Sequence, residues 1–319
     1  MKRLTAILAG ISKDMQGLEI APWHAPLVAK RDGWNSYILD VFDTPTLQSK
    51  AEADPNIKPS DHKIEKVDFV GSAVDIADLV PSKLHQTFDY IVSSHNFEHL
   101  PNPIRFLQGC QSVLKPGGTL SMAVPDGRAC FDYFRPHTVT ADWLEAFAHK
   151  RTRPSDKDIF TTRTSFAALS TGVADVTAFY VNCNVNGVKC TSPLDAAPRF
   201  WELPPSETYL DTHCSVMTPA SLRLMLLDLT HLGLLHMSVE SISQPNGCEF
   251  FVRLVNEEPA RLTATDLQAE RNRLMRLIWR ERTGAGPILA DASALPGRVV
   301  KRAAGQLRLL AGMARRRFQ

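Results

Sequence analysis

Residues 88–126, FDYIVSSHNFEHLPNPIRFLQGCQSVLKPGGTLSMAVPD, constrain the fold more tightly than any other stretch of the chain. Phe88 to Ser93 is a short apolar run rich in β-forming residues. A polar loop follows, His95-Asn96-Phe97-Glu98-His99. Pro101 and Pro103 then open a helical stretch that stops at Lys115-Pro116-Gly117-Gly118, and a second apolar run, Thr119 to Val124, closes on Pro125-Asp126. Strand, loop, helix, turn and strand in this order make one βαβ crossover. Its strands run parallel, and ligands of such units gather beyond the carboxyl ends of the strands. His95 to His99 and Pro125-Asp126 occupy those ends, so the chemistry is expected there.

The flanking sequence extends the alternation. Gly17 to Ala21 reads as a first strand after a helical N-terminal segment, with Pro22 to Pro26 as a loop. Tyr37 to Asp40 reads as a second strand ending in a carboxylate, and Lys66 to Val70 as a third, closed by Gly71-Ser72. Thr44 to Ala53 is expected as a helix, with Thr44 as N-cap and Pro45 at the first helical position. Asp75 to Val80 is expected as a short helix. Residues 127–212 break this rhythm with aromatic and charged runs, an Asn/Gly loop and a Pro-rich stretch. They read as a long, partly helical insertion over the carboxyl edge of the sheet, a lid or substrate platform. The core pattern resumes at Thr218-Pro219, with apolar residues at helical spacing at 222, 225, 226, 229 and 232 and Gly233 as the stop. Leu235 to Ile242 and Glu249 to Leu254, joined by the turn Gln244 to Gly247, read as an antiparallel hairpin. The expected sheet is therefore mostly parallel with one antiparallel strand at its end.

Charge is distributed unevenly. The net charge is +2, yet residues 292–319 hold seven basic and no acidic side chains, which leaves −5 for residues 1–291. In that tail Leu307, Leu309, Leu310 and Met313 alternate with arginines. Such a helix suits an anionic membrane surface or an acidic protein; no recognition motif for nucleic acid accompanies it. No apolar run approaches the roughly 20 residues of a membrane span. The start, MKRLTAILAGISKDMQ, reads as an amphipathic helix and not as an export signal. The six cysteines show neither zinc-site nor disulfide spacing and are expected as reduced thiols. Cytoplasmic placement follows as the expectation, with a peripheral place at the inner membrane face if the tail binds lipid.

Five alternating βα units followed by a helix and a hairpin resemble the class I S-adenosylmethionine (SAM) methyltransferases. Three stretches carry the resemblance: Phe88 to Val92 as the fourth strand, Glu98-His99-Leu100-Pro101-Asn102-Pro103 as the loop after it, and Leu114-Lys115-Pro116-Gly117-Gly118-Thr119-Leu120 as the turn into the fifth strand. The likeness covers roughly 15–126 and 213–255. It is nearest to type 11-like members beginning Gly-Leu-Glu-Ile-Gly-Pro, which are often met among bacterial cell-surface glycan genes. The resemblance implies an α/β, Rossmann-like methyltransferase domain at 1–257 with 127–212 as insertion. A helical extension (258–283), a Gly/Ala/Pro linker (284–296) and the basic tail (297–319) follow.

The resemblance also implies site roles. Residues 19–23 align with the glycine-rich cofactor loop, with Ala21 where its first glycine is expected. Glu19 is implied as a holder of the cofactor's ammonium, and Asp40 as partner of the ribose hydroxyls. Ser72 stands where an acidic residue usually meets the adenine amine, with Asp75 as a substitute. Ser93 to His95 should border the methyl donor. For a hydroxyl acceptor a base is useful, and His95, Glu98, His99 and, from across the cleft, His213 are the candidates. Ubiquinone-type O-methyltransferases place metal ligands in the 95–99 loop, but a histidine replaces their first carboxylate here, so no metal is expected. Arg128 and Arg135 are candidates to hold an anionic acceptor. Trp143, Phe147, Tyr180, Phe200, Trp201 and Tyr209 are candidates to stack on a sugar. The expected function is methyl transfer to an oxygen, or less readily a nitrogen, of a saccharide or related small acceptor. The alternative is a non-catalytic relative that keeps the fold as a binding or scaffold module. A sugar-nucleotide glycosyltransferase would need a DxD-like motif, and none is persuasive.

Overall fold

The computed structural model describes residues 3–55, 57–58, 63–181, 183, 185–202 and 209–283. The expected linker and basic tail, 284–319, lie outside them. Contacts divide the chain after Ile278 into two units, and, apart from residues 279–283, everything below concerns the first.

A short helix, α1 (Arg3–Ile7), precedes strand β1 (Gly17–Ile20). Strand β2 (Ser36–Asp40), helix α2 (Thr44–Ala53), strand β3 (Phe69–Val70), helix α3 (Ile76–Leu79), strand β4 (Phe88–Ser94), helix α4 (Pro103–Val113) and strand β5 (Leu114–Pro125) follow. After the insertion come α7 (Pro219–His231), β9 (Ser238–Ile242), β10 (Glu249–Val255) and α8 (Ala264–Thr283). The seven-stranded sheet has the order β3-β2-β1-β4-β5-β10-β9. All neighbours from β3 to β5 pair parallel. β10, the last strand in sequence, runs antiparallel to both β5 and β9 and lies between them.

Local chemistry sets the boundaries. Asn102 caps α4 by accepting the Arg105 N–H at 3.2 Å, Pro103 fills a first-turn position, and Ile104, Phe106, Leu107, Cys110 and Val113 form its buried stripe. Thr218 caps α7 ahead of Pro219. The cap of α2 is Asp43, whose carboxylate accepts the Thr46 N–H at 3.0 Å, and not Thr44. Thr44 Oγ1 is occupied with the Val67 N–H, and a carboxylate is the stronger acceptor. The third strand is shorter than expected because Asp68 turns its carboxylate onto Lys30 and the Ile38 N–H. Gly117, at φ +76°, and Gly118, whose added Cβ would stand 2.9 Å from the Lys115 carbonyl, explain the paired glycines after Pro116. They let the first part of β5 bulge between the Phe88–Leu114 and Tyr90–Thr119 pairings.

The two faces of the sheet are covered separately. Leu18, Ile20, Leu39, Ile91 and Leu120 pack with α3, α4 and α7 on one face. Tyr90, Val92, Ala123 and Phe251 pack with α1 on the other. Burial of apolar side chains on both faces is the dominant favourable contribution to folding.

The insertion is more regular than its sequence shows. It contains α5 (Thr140–Ala148), α6 (Asp156–Thr164) and a three-stranded antiparallel sheet of β6 (Ala167–Ser170), β7 (Asp175–Val176) and β8 (Val188–Cys190). Those strands are too short to show alternation. The six cysteines are unpaired, and among the described residues no helix is long and apolar enough to cross a membrane.

Candidate active site

A cleft of about 830 Å³ opens beyond the carboxyl ends of β1, β2 and β4. Its walls combine apolar surface from Ile20, Leu39, Val41, Phe42 and Leu100 with polar groups from Asp40, Ser72, His95, Asn96 and His99. The insertion contributes Thr152, Tyr209 and Asp211. Ala21, at φ +48°, Trp23, at +52°, and His95, at +50°, are three of the five non-glycine residues with left-handed backbone among the described residues, and all three line this cleft. Such strain persists only where surrounding structure fixes it, and it collects at functional sites. The loop after β1 therefore takes a glycine-type backbone turn at Ala21 without the glycine.

Asp40 ends β2 inside the cleft. Burial raises its pKa above the ordinary carboxylate value, partly offset by the N–H groups of Phe42, 3.1 Å away, and Val41. Ser72 Oγ accepts the Val74 N–H at 3.3 Å and starts a 3₁₀ turn at the cleft edge. Glu19, by contrast, is buried and is not a lining residue. Its oxygens accept the N–H groups of Leu27 (2.8 Å) and Val28 (3.1 Å) and so shape the loop after β1. Burial pushes its pKa up to about 7 despite those bonds. Asp75 is also outside the lining and is ion-paired with Arg105 at 2.9 Å. Ser93 is buried beneath the cleft, where its hydroxyl accepts from Asn96. Phe42 and Asp211 were not singled out in the sequence; Trp23 and Tyr209, which were, line the cleft. An exposed Val41-Phe42 pair after a strand-end carboxylate was the available signal for Phe42.

The histidines meet around Glu98. His95 Nε2 is 2.9 Å from Glu249 Oε2, at the start of β10, and Arg3 holds the other oxygen at 2.8 Å. Burial alone would lower the His95 pKa, but the hydrogen bond to Glu249 and the charges of Glu98 and Glu249 raise it above its ordinary value. His99 Nδ1 is 2.9 Å from Asp211, and its pKa is raised against burial in the same way. His213 is buried, is not a lining residue, and pairs through Nδ1 with Asp132 at 2.5 Å. The Asp132 pKa is lowered: His213 and Arg135 together outweigh its burial. Glu98 itself is 1% exposed, beneath the cleft floor.

The arginines expected at an anionic acceptor are committed internally. Arg135 is buried against Asp132 (2.7 Å) and the His213 carbonyl (2.9 Å), and Arg128 binds Asp126 at 2.6 Å. Trp143 is a core residue whose Nε1–H donates to Ser215. Tyr180, Phe200, Trp201 and Tyr209 are exposed.

A parallel sheet with one antiparallel penultimate strand, and a cleft at its carboxyl edge with the Asp40 carboxylate at the end of β2, define a methyltransferase of the Rossmann-like class. The profile of a methyltransferase domain family matches residues 5–229, and the chain belongs to that family. Its cofactor is S-adenosylmethionine. Asp40 and Ser72 both line the cleft, and the Ala21 turn brings backbone to it. Solved structures similar to this chain include a SAM-dependent methyltransferase from Methanosarcina mazei, 14% identical over 78% of this chain and 95% of that one, with a TM-score of 0.38. One from Mesorhizobium loti is 11% identical over 78% and 95%, with a TM-score of 0.38. A 16S rRNA adenine methyltransferase from Catenulisporales acidiphilia is 12% identical over 81% and 92%, with a TM-score of 0.37. No curated protein matches the chain.

Proposed function

We propose that this methyltransferase methylates a hydroxyl oxygen, or less readily a nitrogen, of a saccharide or related polyhydroxylated small molecule. The observation that carries the reading is a second hollow, of about 510 Å³, which shares Leu100 and Pro101 with the cofactor cleft. Its wall offers carboxylates (Asp142, Glu145, Asp156) beside cations (Arg151, Lys157). Alternating acceptors and donors suit a ligand rich in hydroxyls. Tyr209, exposed on the cleft wall, adds an apolar ring face of the kind that packs on a sugar.

S-adenosylmethionine supplies an activated methyl group when bound. The chain's own residues align the acceptor and receive its proton. His95 is the proton acceptor in this reading. Glu249 engages Nε2, which leaves Nδ1 as the basic nitrogen, 3.7 Å from Glu98 Oε1. The acceptor's proton passes to His95 Nδ1, and Glu249 stabilises the imidazolium.

Calorimetric titration with S-adenosylmethionine and with its demethylated product tests the cofactor half. Binding by the wild type and its loss in Asp40→Ala are expected; no binding by the wild type would sink the enzymatic reading and leave the scaffold alternative. Methyl transfer to a panel of hydroxylated glycan precursors tests the acceptor half. A wild type that binds cofactor yet methylates none of them, while accepting apolar hydroxyl compounds, would refute the saccharide reading.

A further inference from the structure

Glu98 is the least satisfied charged group among the described residues. It is 1% exposed, and neither carboxylate oxygen has a hydrogen-bond partner. Burying a carboxylate without a counter-charge or hydrogen bonds costs several kcal/mol, so its surroundings must meet that charge. His99 Nε2 and His213 Nε2 each stand 3.9 Å from Glu98 Oε1. That is too far for a hydrogen bond. The three atoms nevertheless all lie within 4.8 Å of one another.

The orientation of the two rings is fixed from behind. Asp211 engages His99 Nδ1 at 2.9 Å, and Asp132 engages His213 Nδ1 at 2.5 Å. A carboxylate at Nδ1 holds the proton there and leaves the Nε2 lone pair facing Glu98. Carboxylates in this outer position orient imidazoles that ligate metals. Asp132 is in turn held by Arg135 at 2.7 Å. Phe131, 4.5 Å from the His213 ring, and His99, edge-on at 4.6 Å, limit the freedom of that ring.

We propose that Glu98, His99 and His213 bind one divalent transition-metal ion of the zinc class. Two imidazole nitrogens and one carboxylate oxygen match that ion's ligand preference, whereas magnesium favours oxygen alone. A tetrahedral ion with bonds of about 2.1 Å needs ligand atoms about 3.4 Å apart, so each 3.9 Å edge must close by about 0.5 Å. Three protein ligands leave a fourth position for water or another oxygen ligand. The ion neutralises the orphaned carboxylate. It also ties the turn after β4 to the segment that returns from the insertion, through His213. His95 lies outside this ligand set and remains available as the proton acceptor. The site is independent of the acceptor reading.

The full chain, stripped with a chelator and dialysed, is titrated with Zn²⁺ by calorimetry and with Co²⁺ by visible absorption, alongside Glu98→Gln, His213→Ala and Asp132→Asn. One ion per wild-type chain is expected, with Co²⁺ bands of a tetrahedral nitrogen–oxygen site and no thiolate charge-transfer band. Binding should weaken by at least ~100-fold in Glu98→Gln and His213→Ala, and by about 10- to 100-fold in Asp132→Asn. A titration with S-adenosylmethionine on each protein reports whether the cleft itself is intact, separating loss of the ion from loss of the cofactor site. The proposal is overturned if the wild type takes up no ion. It is equally overturned if Glu98→Gln and His213→Ala bind as tightly as the wild type, or if a thiolate band shows that cysteines hold the metal.

Discussion

His95 Nε2 lies 2.9 Å from Glu249 Oε2, joining the carboxyl end of β4 to the first residue of β10 across 154 residues of sequence. The two pKa values move apart in consequence. The His95 pKa is raised above 6.5 and that of Glu249 is lowered below 4.5. Protonated His95 stabilises the fold below its unfolded pKa, and this contribution is lost as pH rises through the raised folded value. Ionised Glu249 stabilises above its unfolded pKa, and this is lost as pH falls through the lowered folded value. The pair therefore contributes most between pH 4.5 and 6.5. Urea melts across pH should show the largest gap between wild type and Glu249→Gln inside that window, narrowing above it, where the ion pair with Arg3 remains, and closing below it.

In the proposed reaction the same pair sets the acid limb of catalysis. A base must be unprotonated to work, so kcat/KM of the wild type should rise with pH through a value above 6.5. Removing the Glu249 charge lowers the His95 pKa, and the limb of Glu249→Gln should move to lower pH. His95→Gln should lose about 100-fold or more in kcat with KM for the cofactor little changed, the lower end of what a general base contributes. A Glu249→Gln profile that superposes on the wild type would show that His95 is not the titrating base.

Ala21 holds a left-handed backbone, φ +48°, at the turn where β1 enters the cleft. Glycine adopts this region without a Cβ penalty, whereas other residues pay about 1–2 kcal/mol. Ala21→Gly should stabilise the protein by about 1 kcal/mol, after the flexibility gained by the unfolded chain is allowed for. Denaturant melts measure the first effect. Calorimetry should find cofactor affinity kept or improved, since the turn is already formed.

Ser72 lines the same cleft. Its hydroxyl caps the turn at Val74 and is a weaker acceptor than a carboxylate. Aspartate can serve as the same cap. Ser72→Asp should therefore preserve stability and tighten S-adenosylmethionine binding by about 5- to 10-fold, about 1 kcal/mol for a charge-assisted hydrogen bond over a neutral one. Calorimetry on the two proteins decides it.

The sequence made the sheet legible because its signals were local. Asn102 and Pro103 at one end of α4, and Gly117 and Gly118 after the other, leave little choice for the chain between β4 and β5. Asp40 and Ser72 were legible as cleft residues because each closes a strand. That Glu19 is buried outside the cleft lining was not legible, because its partners are backbone N–H groups eight and nine residues on, which no side-chain pattern announces. The arrangement around Glu98 was the least legible. It assembles Asp132, Asp211 and His213 from a segment without periodicity, and only the folded insertion brings them to the turn after β4.

Gly17 and Tyr90 give the sharpest test of packing. A Cβ on Gly17 would stand 1.9 Å from Tyr90 Cζ and 2.4 Å from its hydroxyl, so the ring of β4 lies directly against the bare backbone of β1. Both residues are in the sheet, paired in register, so neither backbone can retreat without breaking the ladder. Gly17→Ala should therefore cost about 3 kcal/mol, at the upper end of what overpacking usually costs. The Tyr90 hydroxyl is buried without a partner among the described residues, so Tyr90→Phe should be neutral or slightly stabilising. Shortening the ring to leucine removes most of the clash. Gly17→Ala in a Tyr90→Leu background should then cost well under half of what it costs alone, a coupling that a double-mutant cycle reads directly. Additive costs in that cycle would mean that Gly17 is needed for its backbone alone and not for the ring above it.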